Sequence, residues 1–364
     1  MVRSDQSGLG QEAWAKLREL EDEVKRVEEL VLRHLAPAAT VPEAAVTRPA
    51  PEERRLAEPA AVLTVREVPR LVADIRRQLD ADPLHALALA YPPEALSGGE
   101  APEKVRRACL LHHATNTARL AMFVARRHGY QPTTVDVIGA CALVHDIGLE
   151  RVAAELFVKP GPLTASERRD LEAHAAEGAE QVRSCGELEG LLCAVVPAVV
   201  RQHHERTDGS GYPDGLAAPH IHEFAQLIAL AEAYETMVSP RPYKPARLPH
   251  EAMSALLLEA FGKGCPARFD RRLAASFLRA LSLYPIGSGV RLQTGEVGQV
   301  VGSNSDAPER PHVRLLWRPD GRPVERPRVI DLRAAGLAVA QAVPLPPSSP
   351  PSADSGHTRA TTVA

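Results

Sequence analysis

Aromatic residues make up only 4% of this chain, with two tryptophans among 364 residues. A core with so few large rings is filled by Ala, Leu and Val, which favours helices packed closely through small side chains. Long apolar runs are also missing. The longest, around Leu188 to Val200, contains Pro197 and falls short of the roughly 20 residues that a membrane-spanning helix needs. No membrane partner is therefore expected. The opening residues, MVRSDQSGLGQEAW, lack the apolar stretch of a secretory signal, so a cytoplasmic location is expected. Positive charge is not in excess either. Lys and Arg number 43 against 46 Asp and Glu, for a net charge of −3. No overall field draws such a chain to a nucleic acid polymer or to anionic lipid. Small phosphorylated ligands remain open, because a few local cations suffice for them. The five cysteines (Cys109, Cys141, Cys185, Cys193, Cys265) are odd in number and share no CxxC spacing, as expected of reduced thiols in a cytosolic protein.

What is present is mostly helical patterning. Residues 1–35 contain a helix over about Gln11 to His34, in which Leu17, Leu20, Val24, Val27 and Val31 follow a 3-4-3-4 spacing. That is a heptad seam, compatible with a short dimerising coiled coil or with an amphipathic helix packed on its own domain. Residues 36–60 are rich in Pro and Ala without a period and read as a linker. Residues 61–102 read as a helical connector, its firm part beginning near Pro69. Residues 103–284 read as successive amphipathic helices: Lys104–His128, Thr133–Ile147, Ala165–Cys185, Gly186–Gln202, Ile221–Val238, Pro249–Phe261 and Phe269–Leu283. Thr164 with Glu167 makes a capping-box arrangement, and Gly129 follows a helix ending in Arg-Arg-His. From 285 to 335 short β-branched runs alternate with Gly and Pro-Asp-Gly turns, which predicts a small β module. The Pro- and Ser-rich tail at 343–364 is expected to be disordered. The fold class is thus mainly α, with a coiled-coil-like N-terminal region and a small C-terminal β module.

The chemistry-bearing residues are scattered along the helical part. His145 and Asp146 end an apolar helix and are followed by Ile147-Gly148, a helix exit. His174 lies in the next helical region, His203-His204-Glu205 ends another, and Glu232 sits in the apolar run LIALAEAYETM. His113 lies upstream on a long helix. Imidazole and carboxylate together suit Fe, Mn or Zn, and a carboxylate can bridge two ions. Paired ions about 3.5–4 Å apart can share a hydroxide nucleophile and stabilise the charge that grows on a phosphoryl group. A set without Cys argues against a structural zinc site. Apolar flanks favour ligation over lone core histidines, because an unpaired polar group among Val and Leu costs free energy.

With these residues in place the sequence resembles the HD-GYP family of the HD-domain phosphohydrolases. The resemblance rests on HHATNTARLA around His113, HDIGL at 145–149 and KPGPLTASE at 159–167. It continues with HAAEG at 174–178, HHERTDGSGYPDGL at 203–216 and RPYK at 241–244. It covers about Lys104 to Leu283. It implies an all-α, HD-type helical bundle that holds two or three divalent ions, commonly iron or manganese. It also implies hydrolysis of cyclic di-GMP to the linear dinucleotide pGpG and on to GMP, as in bacterial second-messenger signalling. Carried over by position, the metal ligands are His113, His145, Asp146, His174, His203, His204 and Glu232, with Asp146 as the bridging ligand that positions a hydroxide. Arg241 and Lys244 match positions that look like phosphate contacts, with Tyr212 and Lys159 as further substrate-side residues.

The chain departs from the family pattern at two positions. Glu232 stands where the family has Asp, which alters metal spacing or preference. Leu149 stands where the family has Lys. The loss of one charge-assisted contact there amounts to roughly 1.5–3 kcal/mol, or about 10- to 150-fold in rate. A phosphodiesterase, a catalytically weakened cyclic di-GMP receptor or scaffold, and a hydrolase of another cyclic dinucleotide are the readings that follow. A homodimer through the N-terminal helix and protein partners for the β module are the further expectations.

Overall fold

The computed structural model describes residues 21–31, 33, 65–87, 101–159, 161–186, 191–240, 246–262 and 266–345. The linker expected at 36–60 lies outside these residues, as do all of the expected disordered tail beyond 345 and the seam positions Leu17 and Leu20.

The described part of the N-terminal helix, α1, spans 21–31. Its seam residues Val27 and Val31 are buried in the chain's own core, and Val24 and Leu30 pack against that core. Glu23 pairs with Arg279 at 2.6 Å. Of the two uses a heptad seam allows, this stretch serves the internal one. A dimer through these valines would require exposing them.

A 3-10 turn at Val65–Glu67 leads into α2 (Val68–Ala81), which carries Pro69 in its first turn, where proline leaves no hydrogen bond unmade. A short α3 (Pro83–Ala86) follows. The body then runs through α4 (Pro102–His128), α5 (Pro132–Val144), α6 (Ala165–Glu172), α7 (His174–Ser184), α8 (Leu191–Gln202), α9 (Glu223–Val238), α10 (Pro249–Phe261) and α11 (Arg271–Leu281). The buried residues of α4, α5 and α9 are mainly Ala, Val, Leu and Met, with few rings, as the composition requires. Gly129 caps α4 in the left-handed region (φ 96°), and Thr164 with Glu167 closes a full capping box on α6. No helix among the described residues is long and apolar enough to cross a membrane.

The helix expected over Ala165–Cys185 is two helices. The break falls at Ala173, where the Nδ1 of His174 takes the carbonyl of Leu171 at 2.5 Å and diverts it from the helical ladder. The C-terminal module is a five-stranded antiparallel sheet: β1 (Gly289–Leu292), β2 (Val297–Gly302), β3 (His312–Trp317), β4 (Val329–Asp331) and β5 (Val339–Val343), in the order β4-β3-β2-β1-β5. It extends past the expected boundary at 335, because β5 pairs antiparallel with β1 from Gly289↔Val343 to Leu292↔Val339. Val290, Leu292, Val300, Val313, Leu315 and Leu332 join the same buried core as the helices. The sheet is thus continuous with the bundle rather than a tethered appendage. The four described cysteines form no disulfide with one another; Cys265 lies outside the described residues.

Candidate metal centre

The last two turns of α5, Ile138 to Val144, are buried throughout, so His145 and Asp146 emerge at the end of a buried apolar segment. A 3-10 turn, Ile147–Arg151, follows at once. Gly148 in that turn rests directly on α7. A Cβ there would lie 2.2 Å from the carbonyl oxygen of His174 and 2.9 Å from the amide of Gly178. The glycines of HDIGL and HAAEG therefore let two backbones meet, and that contact brings His174 to Asp146. Arg106 of α4 braces the same turn, donating to the carbonyls of Leu149 (3.3 Å), Glu150 and Val152 (3.1 Å). His203 and His204 follow the end of α8 at Gln202, and Glu232 comes from α9.

These elements converge on Asp146. Its Oδ2 lies 3.4 Å from the Nε2 of His113 and 3.5 Å from that of His145. Its Oδ1 lies 3.2 Å from the Nε2 of His174 and 3.5 Å from that of His203. One carboxylate thus presents each oxygen to a different pair of imidazoles. The ligand atoms group as His113, His145 and Asp146; as Asp146, His174, His203 and His204; and as His145, His203 and Glu232. The third group shares a histidine with each of the others, so Glu232 sits between them. All seven residues expected as ligands are brought together.

The tautomers follow from the hydrogen bonds. Nδ1 of His145 meets the carbonyl of Ala142 at 2.7 Å, Nδ1 of His174 meets that of Leu171, and Nδ1 of His203 meets that of Val200 at 2.6 Å. A carbonyl only accepts, so each Nδ1 carries a proton and, in the neutral ring, each Nε2 keeps a lone pair. Nδ1 of His113 faces the Oε2 of Glu235 at 2.5 Å, with the same consequence. The Nε2 atoms nevertheless approach in pairs at 3.3 Å, His113 to His145 and His174 to His203. Two lone pairs cannot bond to each other, and a cation between them resolves the clash. Asp146 Oδ1 and Glu232 Oε2 are buried and accept no hydrogen bond among the described residues. The donor set therefore fits divalent metal ions. Electrostatics agree. Burial pushes the pKa of His145 down to about 3, and burial with the neighbouring His203 holds His204 well below the usual range. Both stay in the neutral, ligating form. Burial opposes ionisation of Asp146, yet the surrounding imidazoles, His145 foremost, hold it well below the usual carboxylate range.

Two participants, Glu235 and Glu205, were not singled out as site residues from sequence. Glu235, one helical turn after Glu232, is buried. It fixes His113 while its Oε1 accepts from Asn116 Nδ2 (3.2 Å) and Ser239 Oγ (2.5 Å). Its spacing of three from Glu232 on an apolar helix was the available signal. Glu205, in the HHE run, is buried, and its oxygens accept the amides of Asp214 (2.7 Å) and Leu216 (2.9 Å). Tyr212 stacks its ring on His204 at 4.6 Å. Lys159 is engaged elsewhere. Its ammonium donates to both oxygens of Glu167 at 2.8 and 2.6 Å. Leu149 is buried beside Asp146 and supplies no cation. Arg241 and Lys244 lie outside the described residues.

Known proteins show what this chain resembles. Residues 100–264 match the HD domain, and residues 289–339 match a KOW domain associated with HD domains. A cyclic di-GMP phosphodiesterase of Pseudomonas aeruginosa is 31% identical over 224 residues, covering 62% of this chain and 52% of that protein. A cyclic di-GMP phosphodiesterase response regulator of Xanthomonas campestris pv. campestris is 30% identical over 196 residues, covering 54% of this chain and 46% of that protein. A 3'3'-cGAMP-specific phosphodiesterase of Vibrio cholerae is 30% identical over 144 residues, covering 40% of this chain and 32% of that protein. The chain spans about half the length, or less, of these relatives. The helical part is thus similar to HD domains over residues 100–264, and the sheet that follows is similar to the HD-associated KOW domain.

Proposed function

We propose that this chain is a metal-dependent phosphodiesterase that opens cyclic di-GMP to pGpG. The observation that carries the reading is Asp146, whose two oxygens face two separate imidazole pairs at 3.2–3.5 Å. The relatives named as cyclic di-GMP phosphodiesterases support the choice of substrate.

Two divalent ions, iron or manganese by the nitrogen and oxygen donor set, supply Lewis acidity toward a phosphodiester and a water ionised near neutral pH. The chain's own residues do the rest. His113, His145 and Asp146 hold one ion; His174, His203, His204 and Asp146 hold the other. Glu232, with a free buried oxygen between the two sets, completes the cradle or accepts a proton from the attacking water. Glu235 and the carbonyls of Ala142, Leu171 and Val200 fix the imidazole tautomers, so the lone pairs point inward without rearrangement. Arg241 and Lys244 hold the non-bridging phosphate oxygens, Arg as a fork and Lys as a point charge. A cytoplasmic setting fits the reduced cysteines.

The buried Leu149 favours a second reading, a slowed enzyme that acts as a cyclic di-GMP receptor. A third takes 3'3'-cGAMP as the substrate, in line with the Vibrio relative's name. One assay separates all three. Full-length protein is loaded anaerobically with Mn²⁺ or Fe²⁺ and given each cyclic dinucleotide side by side. Formation of pGpG as the faster reaction supports the proposal. Binding without turnover supports the receptor, and faster loss of 3'3'-cGAMP supports the third reading.

A further inference from the structure

Five histidines surround Asp146, and four have a ring nitrogen tied to a fixed acceptor: three to main-chain carbonyls and His113 to Glu235. His204 differs. Among the described residues its ring makes no hydrogen bond, and the nearest carboxylate, Oε1 of Glu232, stands 3.7 Å from its Nδ1. Its ring is held by other rings. His203 lies against it at 4.1 Å, the edge of His174 at 5.0 Å, and Tyr212 stacks on it at 4.6 Å and 27°.

Tyr212 is itself placed by the chain on either side. Gly211 is folded so tightly onto the segment 204–206 that a Cβ would lie 2.4 Å from the amide nitrogen of Arg206 and from the Cα of Glu205. The amide of Tyr212 donates to the carbonyl of His204 at 3.3 Å. Beyond Pro213, the buried carboxylate of Glu205 takes the amides of Asp214 and Leu216, and Arg201 holds Asp214 through two bonds of 2.7 and 2.6 Å. A glycine that admits no side chain and a carboxylate that clamps the return strand leave the ring in between one place to lie.

We propose that Tyr212 is a positioning residue that orients the His204 imidazole toward the metal subset of Asp146, His174 and His203, and that Gly211 and Glu205 exist to hold Tyr212 there. The inference rests on the two-metal reading above. It explains why a loop with no metal ligand of its own is folded against this subset. A phenyl ring suffices for the stack; the hydroxyl does not. Removal of a group that orients a ligand lowers metal affinity about 10- to 100-fold.

The test is a calorimetric titration of Mn²⁺ into chelator-stripped full-length protein, with circular dichroism as a fold check and kcat and KM measured on the same samples. Tyr212→Leu should weaken one of the two Mn²⁺ sites by about 10- to 100-fold and leave the other as in wild type. Tyr212→Phe should restore it. Glu205→Gln, which can accept only one of the two amides, should weaken the same site by a smaller factor and covers the case in which Tyr212→Leu fails to fold. Unchanged Mn²⁺ affinity in both Tyr212→Leu and Glu205→Gln overturns the inference. So does a raised KM with metal affinity unchanged, which would make Tyr212 a substrate contact alone. A wild-type protein that takes up no Mn²⁺ overturns the metal reading itself, a result distinct from either.

Discussion

Glu235→Gln probes the cradle through a residue that touches no metal. Both members of the pair are buried, and Nδ1 of His113 stands 2.5 Å from Oε2 of Glu235. The carboxylate answers donors at both ends, His113 at Oε2, and Asn116 with Ser239 at Oε1. An amide has one accepting end. If its oxygen serves Asn116 and Ser239, its NH₂ faces Nδ1, and His113 relieves the clash by moving its proton to Nε2. That nitrogen is the ligand, so the lone pair for the metal disappears. If the amide flips, two buried donors lose their acceptor. Either way a charge-assisted hydrogen bond is lost, about 1.5–3 kcal/mol, which corresponds to about 10- to 150-fold in metal affinity. The weakened site is the one formed by His113, His145 and Asp146, opposite the subset that Tyr212 serves. Mn²⁺ titration with helix content as control measures it. Two sites of wild-type affinity in Glu235→Gln would refute the tautomer argument.

Other consequences follow from the same contacts. Gly148→Ala drives a methyl into the His174 carbonyl and should lower stability by about 1–3 kcal/mol, read in a urea or thermal melt; an unchanged melt would mean the turn and α7 are free to separate. Leu149→Lys places an amine beside Asp146 and should raise turnover of cyclic di-GMP by about tenfold or more; an equal rate would show that no cation is wanted there. Lys159→Ala should leave KM unchanged, because Glu167 already occupies that ammonium. The metal-free protein should lose stability as the pH falls. Burial lowers the folded pKa of His145 to about 3 from an unfolded value of about 6.5, so its contribution is complete above 6.5 and drains away toward 3. His174 softens the fall, because Asp146 outweighs the effect of burial and raises its pKa. A melting temperature constant from pH 7 to pH 4 would contradict this.

The clustered residues were legible because each stands out locally: a histidine or acid in an apolar helix, or at its end, where an unpaired polar group is costly. Motif order supplied the grouping. What spacing could not supply was the second layer. Glu235 reads as an ordinary acid in a helix until its partner, 122 residues away, is in view. Lys159 reads as a free cation until the capping box of α6 is seen to claim it. The seam of α1 was visible, but a heptad serves a partner chain or a parent domain equally, and only the burial of Val27 and Val31 decides. The break at Ala173 hides in a continuous helical pattern, because it is made by a side chain competing for one carbonyl. β5 escaped because it is a short, half-exposed edge strand, VAQAV, whose single polar residue leaves no alternation to read.

The central claim is that Asp146 joins two metal subsets, and metal content of anaerobically purified protein tests it most directly. The account predicts two ions per chain in wild type, one in His113→Ala, and no more than one in Asp146→Asn, since the amide leaves only one ligating oxygen for two subsets. Two ions retained in Asp146→Asn, or no more than one in wild type, would contradict it.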